Sequence, residues 1–298
     1  MSQGEMIIQQ LFNALTIGSL YAEAAIGLAM VFSILGLINF AHGAILMVGA
    51  YSIVFAQAAG LPFWASALLG IAISTLAGVL MERIAYRPIR GAPDVSLLLT
   101  SFAVTVLIEN GIVVFVSASP KGFPIPQILN SFVSVGNMRF PVIDLSIIGA
   151  TLVLLVILSL LVTRTKIGIA MRAAASDLVG ARLCGIDIDK VIVFAFALGS
   201  AMAGVAGIGW AGRLGDVDPF MGLGPVLKGF VACVFGGFGS IPGAVLGAYI
   251  LGGMEVLFTA FLPTELALYR NAYVFIVLIL VLLLRPAGIL GTTAREKI

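Results

Sequence analysis

Apolar residues in this chain come in long runs separated by short polar stretches. The runs fall near residues 8–35, 38–58, 62–82, 95–118, 142–163, 191–211, 222–235, 240–262 and 270–285. About 20 consecutive apolar residues suffice for a helix to cross the ~30 Å hydrocarbon layer of a bilayer. The pattern predicts an all-α, polytopic transmembrane helical bundle of about eight or nine membrane segments. The run 222–235 is short for a crossing and reads as a half-helix or re-entrant piece.

One run is unlike the others. From Met30 it reads VFSILGLINFAHGAILMVGAY, as apolar as a span, yet it carries Asn39 and the only histidine, His42, among Gly36, Gly43 and Gly49. Polar groups and glycines inside an apolar stretch predict an irregular or tightly packed helix facing protein or a water-filled path rather than lipid. Glu23, Glu109 with Asn110, and Glu255 also interrupt apolar segments. An ionisable group at the bilayer centre costs about 2.5–3.5 kcal/mol on insertion scales, so these side chains are expected to face protein or water. Two readings stand for them: buried structural hydrogen bonding, or a ligand path along Glu23, Asn39, His42 and Glu109.

Composition narrows the function. The chain has 298 residues, of which 61% are hydrophobic and 10% charged. That excludes a water-soluble globule and leaves a single membrane domain over 1–298. No P-loop of the GxxxxGK[ST] form occurs, so any ATP use falls to another subunit. No nucleophile stands with a base and an orienting acid, so the chain is not expected to be an enzyme. A lone histidine makes no metal site, and no cofactor is expected on this chain. The 35 glycines suit close helix packing, as in Gly199-Ser200-Ala201-Met202-Ala203-Gly204. Cys184 and Cys233 lie in unlike surroundings and are expected to be free thiols. The start, MSQGEMIIQQ, lacks a basic n-region and cleavage site, so the first run is expected to stay as a span.

Lys and Arg set orientation. Arg83, Arg87 and Arg90 form one group; Arg164, Lys166, Arg172, Arg182 and Lys190 a second; Arg285, Arg295 and Lys297 a third. Nine crossings place all three groups on one side, the cytoplasm, with the carboxyl terminus there too and the amino terminus outside; if 38–58 or 222–235 does not cross, part of that scheme inverts. The loop 119–141 then lies outside, as a periplasmic loop. Its alternating Phe132, Val133, Val135 and Met138 suit a short hairpin about Gly136-Asn137, or the loop is a plain connector; an external protein could dock there. HGAILMVGAY (42–51) also resembles PGAVLGAY (242–249), as an internal repeat or by coincidence in a Gly/Ala-rich chain.

The polar segment 164–190, RTKIGIAMRAAASDLVGARLCGIDIDK, separates two strongly apolar spans. Ser176 is expected to cap a short helix with Asp177 in its first turn, and Gly185 to end it in a left-handed conformation. A second short helix is expected over 168–175. Together they form either an ordinary interfacial loop or a cytoplasmic knob that fits a cleft on a motor.

Four blocks resemble one family. They are the 165–191 pattern T-K-x-G-x-x-M-R-A-x-x-x-D-x-x-x-A-R-L-x-G-I-D-x-D-x-V, Ile38-Asn39-Phe40-Ala41-His42-Gly43, Gly236-Gly237-Phe238-Gly239-Ser240-Ile241-Pro242-Gly243-Ala244, and Arg285-Pro286 with Gly288-Ile289-Leu290-Gly291. In this order they resemble permease subunits of branched-chain amino acid ABC importers, in the H-type form; urea and short-chain amide importers share the pattern. One departure is Ala174-Ala175-Ser176 before Asp177, where a longer polar residue often precedes the Asp. The resemblance implies a bacterial inner-membrane protein. It also implies a second homologous permease subunit, two ATPase subunits that use ATP-Mg, and a periplasmic substrate-binding protein. It further implies that the 168–187 segment supplies a coupling helix to the ATPase. Physically, Arg172, Asp177 and Arg182 can fix such a helix by ion pairs, and Ala173, Ala174, Leu178 and Leu183 can fill an apolar cleft, with Ser176 and Gly185 as the caps at its ends. The competing classes are a secondary transporter using Glu23 or Glu109 as an ion site, and a self-contained channel built on the 222–243 region.

Overall fold

A computed structural model describes residues 3–267 and 269–291. Among the described residues, seven helices are long and apolar enough to cross a membrane, and two shorter apolar helices accompany them. The long ones are α1 (Gln3–Leu35), α2 (Ala41–Ala58), α3 (Phe63–Met81, continued by a π-turn Glu82–Tyr86 and a 3-10 turn Arg87–Ile89), α4 (Asp94–Phe115), α5 (Val142–Arg164), α8 (Ile188–Leu214) and α10 (Ile241–Phe261). Between α5 and α8 lie two short helices, α6 (Lys166–Ser176) and α7 (Leu178–Leu183). The chain continues with α9 (Leu223–Gly236), and α11 (Thr264–Ala267) and α12 (Arg270–Leu284) follow α10. The expected run 222–235 is therefore a helix, α9, of 14 residues. At 1.5 Å per residue it is about 21 Å long, too short to cross.

α1 is the axis of the bundle. It has 33 residues, and from Thr16 to Ile34 nearly every position is buried. One buried cluster joins its Ile26, Met30 and Ile34 to α2, α3 and α8. The other joins its Tyr21, Ala25 and Leu28 to α9, α10 and α12. Small residues make this possible. A Cβ at Gly18 would meet Tyr249 of α10, and one at Gly27 would meet His42 and the Gly199 carbonyl. By contrast α4 and α5 are mostly exposed, with 17% of each span buried.

The two ends of the bundle are distinct. At one end Gln9 Nε2 donates to the Arg139 carbonyl and Asn137 Nδ2 to Glu5. There β2 (Phe132–Val135) and β3 (Met138–Pro141) form the hairpin about Gly136, and β1 (Lys121–Gly122) pairs with β4 (Asp216–Val217). At the other end Arg87 and Arg90 meet Asp189, and α6 packs on α5. Residues 289 and 290 donate backbone hydrogen bonds to Phe235 and Gly236, and Phe238 stacks on Phe32, so the segment Arg285–Gly291 also lies at that end. Arg295 and Lys297 lie outside the described residues.

The chain breaks inside the bundle between α1 and α2. Gly36, at φ 68°, ends α1 with its N–H on the Phe32 carbonyl. His42, one residue into α2, lies beside Ala24 and Gly27 of α1. Those positions are eight to eleven residues short of Leu35, about 12–16 Å back along the helix. Residues 36–40 thus return into the bundle as non-helical backbone, tolerated because protein surrounds them. The start of α2 meets the start of α9 there: a Cβ on Gly222 would collide with the Gly43 backbone. The end of α9 is held alike, Gly236 against Gly243 of α10. Gly222→Val should overpack this joint by about 1–3 kcal/mol and lower the detergent-solubilised melting temperature. Gly253→Ala, where a Cβ meets open space, should leave it unchanged or slightly raised.

Candidate functional site

Two places carry polar chemistry: the interior of the bundle, and the knob at the end where α6 and α7 project.

Inside, the four expected path residues have separate partners. Glu23 is buried on α1, and its Oε1 lies 2.9 Å from the Thr151 hydroxyl of α5, which sits equally close to the Ile147 carbonyl. Its Oε2 is buried with no hydrogen-bond partner, and the residue borders a groove of about 390 Å³ between α1, α3, α5 and α8 that is walled by Phe63, Leu68, Ser146, Ile147 and Ile208 among others. Asn39, in the non-helical break, accepts a 2.9 Å hydrogen bond from the Tyr86 hydroxyl. The His42 ring donates to the Ala24 carbonyl, while its Nε2 has no partner. Cys233 of α9 donates its thiol to the neighbouring Ala25 carbonyl, so α2 and α9 both grip the same turn of α1. Glu109 stands apart, half-buried on α4. Asn39 and His42 belong to one break; Glu23 opens on a different groove.

Glu255, read from sequence only as an intramembrane acid, takes part in a cluster. Tyr21 of α1 donates to its Oε2, Lys228 of α9 lies 3.2 Å from its Oε1, and the Lys228 ammonium sits 5.8 Å above the Tyr21 ring. The cluster pins the short α9 to α10 and α1. Tyr21, Lys228 and Trp210, which stacks on Tyr21, had no place in the sequence reading.

At the knob, the sequence located the elements but not their faces. Asp177, not Ser176, is the N-cap of α7: its backbone is extended (φ −156°, ψ 109°) and its Oδ1 accepts from the Val179 N–H at 2.9 Å, while Ser176 is still helical as the last residue of α6. Thr165 caps α6 by accepting from Gly168 N–H. Gly185 ends α7 at φ 82°, as expected. Asp187 caps α8, and the hydrogen bond from the Lys190 side chain holds its carboxyl below the usual range. Among the described residues Arg172 has no ion-pair partner; its guanidinium donates to the Val162 carbonyl at the end of α5. That ties α6 to the preceding span through an open helix-end carbonyl. Ala174 is buried in this chain's own core, and Ala173 and Leu178 are half-buried against it. Leu183 of the expected apolar set faces outward at 83% exposure, joined by Ile169 and Val179 at 52% and 69%, with exposed Arg172, Asp177 and Arg182 beside them. The alternation of small and branched residues gave no sign of which side faces inward. Among the described residues no three His, Cys, Asp or Glu side chains group closely enough to hold a metal.

A tightly packed multi-pass bundle with a half-length helix, a broken span and a rigid polar knob at one end is the architecture of a membrane permease rather than of an enzyme. A family model described as branched-chain amino acid transport system / permease component matches residues 10–284. The chain is 37% identical to the high-affinity branched-chain amino acid transport system permease protein LivH of Escherichia coli K12, covering 98% of this chain and 97% of that one. It is 35% identical to the corresponding protein BraD of Pseudomonas aeruginosa, covering 98% of each. It is 29% identical to a probable branched-chain amino acid transport permease of Methanocaldococcus jannaschii, over 97% and 93%. The chain belongs to this permease family. Membership favours the ABC importer over the secondary-transporter and channel readings.

The buried carboxyl gives a direct test of packing inside the bundle. Thr151→Val removes the hydroxyl beside Glu23 and should cost about 1–3 kcal/mol, read as a lower melting temperature. Glu23→Leu in the same chain should recover most of that loss, since the unsatisfied group goes with it.

Proposed function

We propose that this chain is one membrane-spanning subunit of an ATP-driven importer for branched-chain or related aliphatic amino acids. It works beside a second, homologous permease subunit and above two ATPase subunits that bind ATP-Mg, and a periplasmic binding protein delivers the cargo. The observation that carries the reading is the α6–α7 knob. Its outward Ile169, Val179 and Leu183 form an apolar face flanked by charges, capped at both ends and tied back to α5 through Arg172. A lever must be rigid to transmit force, and caps with a backbone anchor supply rigidity.

The remaining parts fit the same reading. The barely packed α4 and α12 offer surface for the second permease. The two basic groups around residues 83–90 and 164–190, on the knob side of the bundle, support a cytoplasmic knob and carboxyl terminus and a periplasmic 119–141 loop, where it can meet the binding protein. The inner membrane of a bacterium is the corresponding location. Asn39, His42, Glu23 and Glu109 supply scattered polar groups rather than a charged pocket. A permease fed by a high-affinity binding protein gains by this, because a deep site would trap the cargo. The groove at Glu23 offers an ammonium partner and an apolar wall for an aliphatic side chain. Urea or a short amide would not use that wall.

The test is reconstitution of the full complex in proteoliposomes. Wild type should take up leucine-like amino acids only with ATP. Asp177→Arg and Gly185→Pro should assemble and hydrolyse ATP, yet lose at least tenfold in uptake per assembled complex. Normal uptake by either variant overturns the lever assignment, and uptake on a proton gradient without ATP overturns the importer itself.

A further inference from the structure

Beside the knob, four charged side chains join the end of α3 to the start of α8. Arg87 Nη2 lies 2.7 Å from Asp189 Oδ2. Arg90 reaches two ways: Nη1 to Asp189 Oδ1 at 2.5 Å, and Nη2 to Glu82 Oε1. The two carboxylates are not equivalent. Glu82 is fully buried, with 0% of its side chain exposed, whereas 48% of Asp189 is exposed. Two atoms of this network are buried and unpartnered, Glu82 Oε2 and Arg90 Nε.

Those two orphans are complementary. A guanidinium offers Nε and one Nη as a side-on fork, and a carboxylate accepts such a fork with both oxygens. As it stands, Arg90 spends one prong on Glu82 and another on Asp189. If Arg90 closes fully on Glu82, both orphans are satisfied and Asp189 is left with Arg87 alone. The exposure decides which bond gives way. The Asp189 contacts are solvent-screened, while Glu82 has no water to replace Arg90.

Both ends of the joint lead to parts of the machine. Asp189 lies in the first turn of α8, just after the Gly185–Asp187 segment that closes the knob, so it moves with α7. Glu82 begins a π-turn, a form of helix that recurs at functional sites. The same turn ends at Tyr86, whose hydroxyl holds Asn39 in the non-helical break within the bundle. A continuous run of named contacts therefore joins the knob to the broken span: Asp189, Arg90, Glu82 with its π-turn, Tyr86, Asn39.

We propose that Arg90 is a two-position joint, shared between Glu82 and Asp189 in one stage of transport and forked on Glu82 alone in the other, so that motion of the knob reaches Asn39 through the π-turn. The proposal rests on the importer reading above. It makes Arg90, Glu82 and Asp189 positioning residues for translocation, with no contact to cargo required.

The experiment uses the whole reconstituted complex. Asp189→Asn, at the exposed end, should keep assembly and ATP hydrolysis within about twofold of wild type while uptake falls at least tenfold. Glu82→Gln should do the same, since Arg90 loses the charge that draws it from Asp189. The double variant should transport no worse than the poorer single one, because both remove one event; multiplied losses would mark independent structural roles and overturn the joint. A second measurement keeps all four side chains. Spin labels at Ile84→Cys and Lys190→Cys, with Cys184→Ser, should change separation between nucleotide-free and vanadate-trapped complexes. An unchanged separation, or wild-type uptake by Asp189→Asn, overturns the joint while leaving the importer standing. Absence of ATP-driven uptake in the wild type overturns both.

Discussion

Close backbone contact around α1 is the constraint on which the rest of the structure depends. The hydrophobic effect does little to drive helix against helix in lipid, so association there relies on van der Waals fit and hydrogen bonds. A helix buried on all sides must then present almost no side-chain bulk where neighbours cross it. Gly18 and Gly27 do so, and Ala22, Ala24, Ala25 and Ala29 are all fully or nearly fully buried. Hydrogen bonds from His42 and Cys233 to successive α1 carbonyls add direction to that fit. The axis is thereby fixed in rotation as well as position, and both clusters of the core are built upon it.

From that axis follows a division into fixed and movable parts. α2, α8, α9 and α10 press on α1 through glycine and alanine, and a shift of a fraction of an ångström would cause collisions. α4 and α12 make few contacts within the chain, so they can shift, or pack on another subunit, at little cost to this one. The broken span lies at the boundary. Residues 36–40 are held by turn hydrogen bonds at Gly36, Asn39 and Phe40, by the Phe40 ring against Phe102 and Phe230, and by the Tyr86–Asn39 side-chain bond, not by a helical ladder, so they are a part of the interior that can change shape without unwinding a helix.

Much of this was legible in the chain. Every apolar run became a helix, because length and hydrophobicity alone decide whether a segment crosses. The half-helix α9 was legible as a short run, and the break before α2 as Gly36 and Asn39 in an apolar stretch. Faces and partners were less so. The sequence offered Ala174 and Leu183 alike for docking, yet Ala174 turns into the core and Leu183 out, because packing on α5 and α8 fixes the rotation of α6 and α7. Arg87 and Arg90 were read only for the side of the membrane they mark. Their partner Asp189 lies about a hundred residues on, a pairing that no local pattern encodes. Glu82 did leave a trace, an acid at the end of an apolar run directly before three arginines, and an acid there without a partner would be costly enough to ask for one.

Strength and weakness in the charge network are distributed as a mechanical linkage needs. An exposed ion pair contributes about 0–1 kcal/mol, while breaking a buried one costs about 3–5 kcal/mol. The difference exceeds thermal energy several times over, so a pull on α8 parts Asp189 from its arginines well before it parts Arg90 from Glu82. Motion of α8 therefore reaches the π-turn and Tyr86 only while Arg90 is shared with Asp189; once Asp189 lets go, Arg90 and Glu82 stay together on the α3 side. Had the burial been reversed, with Glu82 wet and Asp189 dry, the same four residues would lock α3 to α8 and leave the interior undisturbed. Which carboxylate is hidden from water, rather than the number of charges, sets the direction in which the end of the bundle can yield.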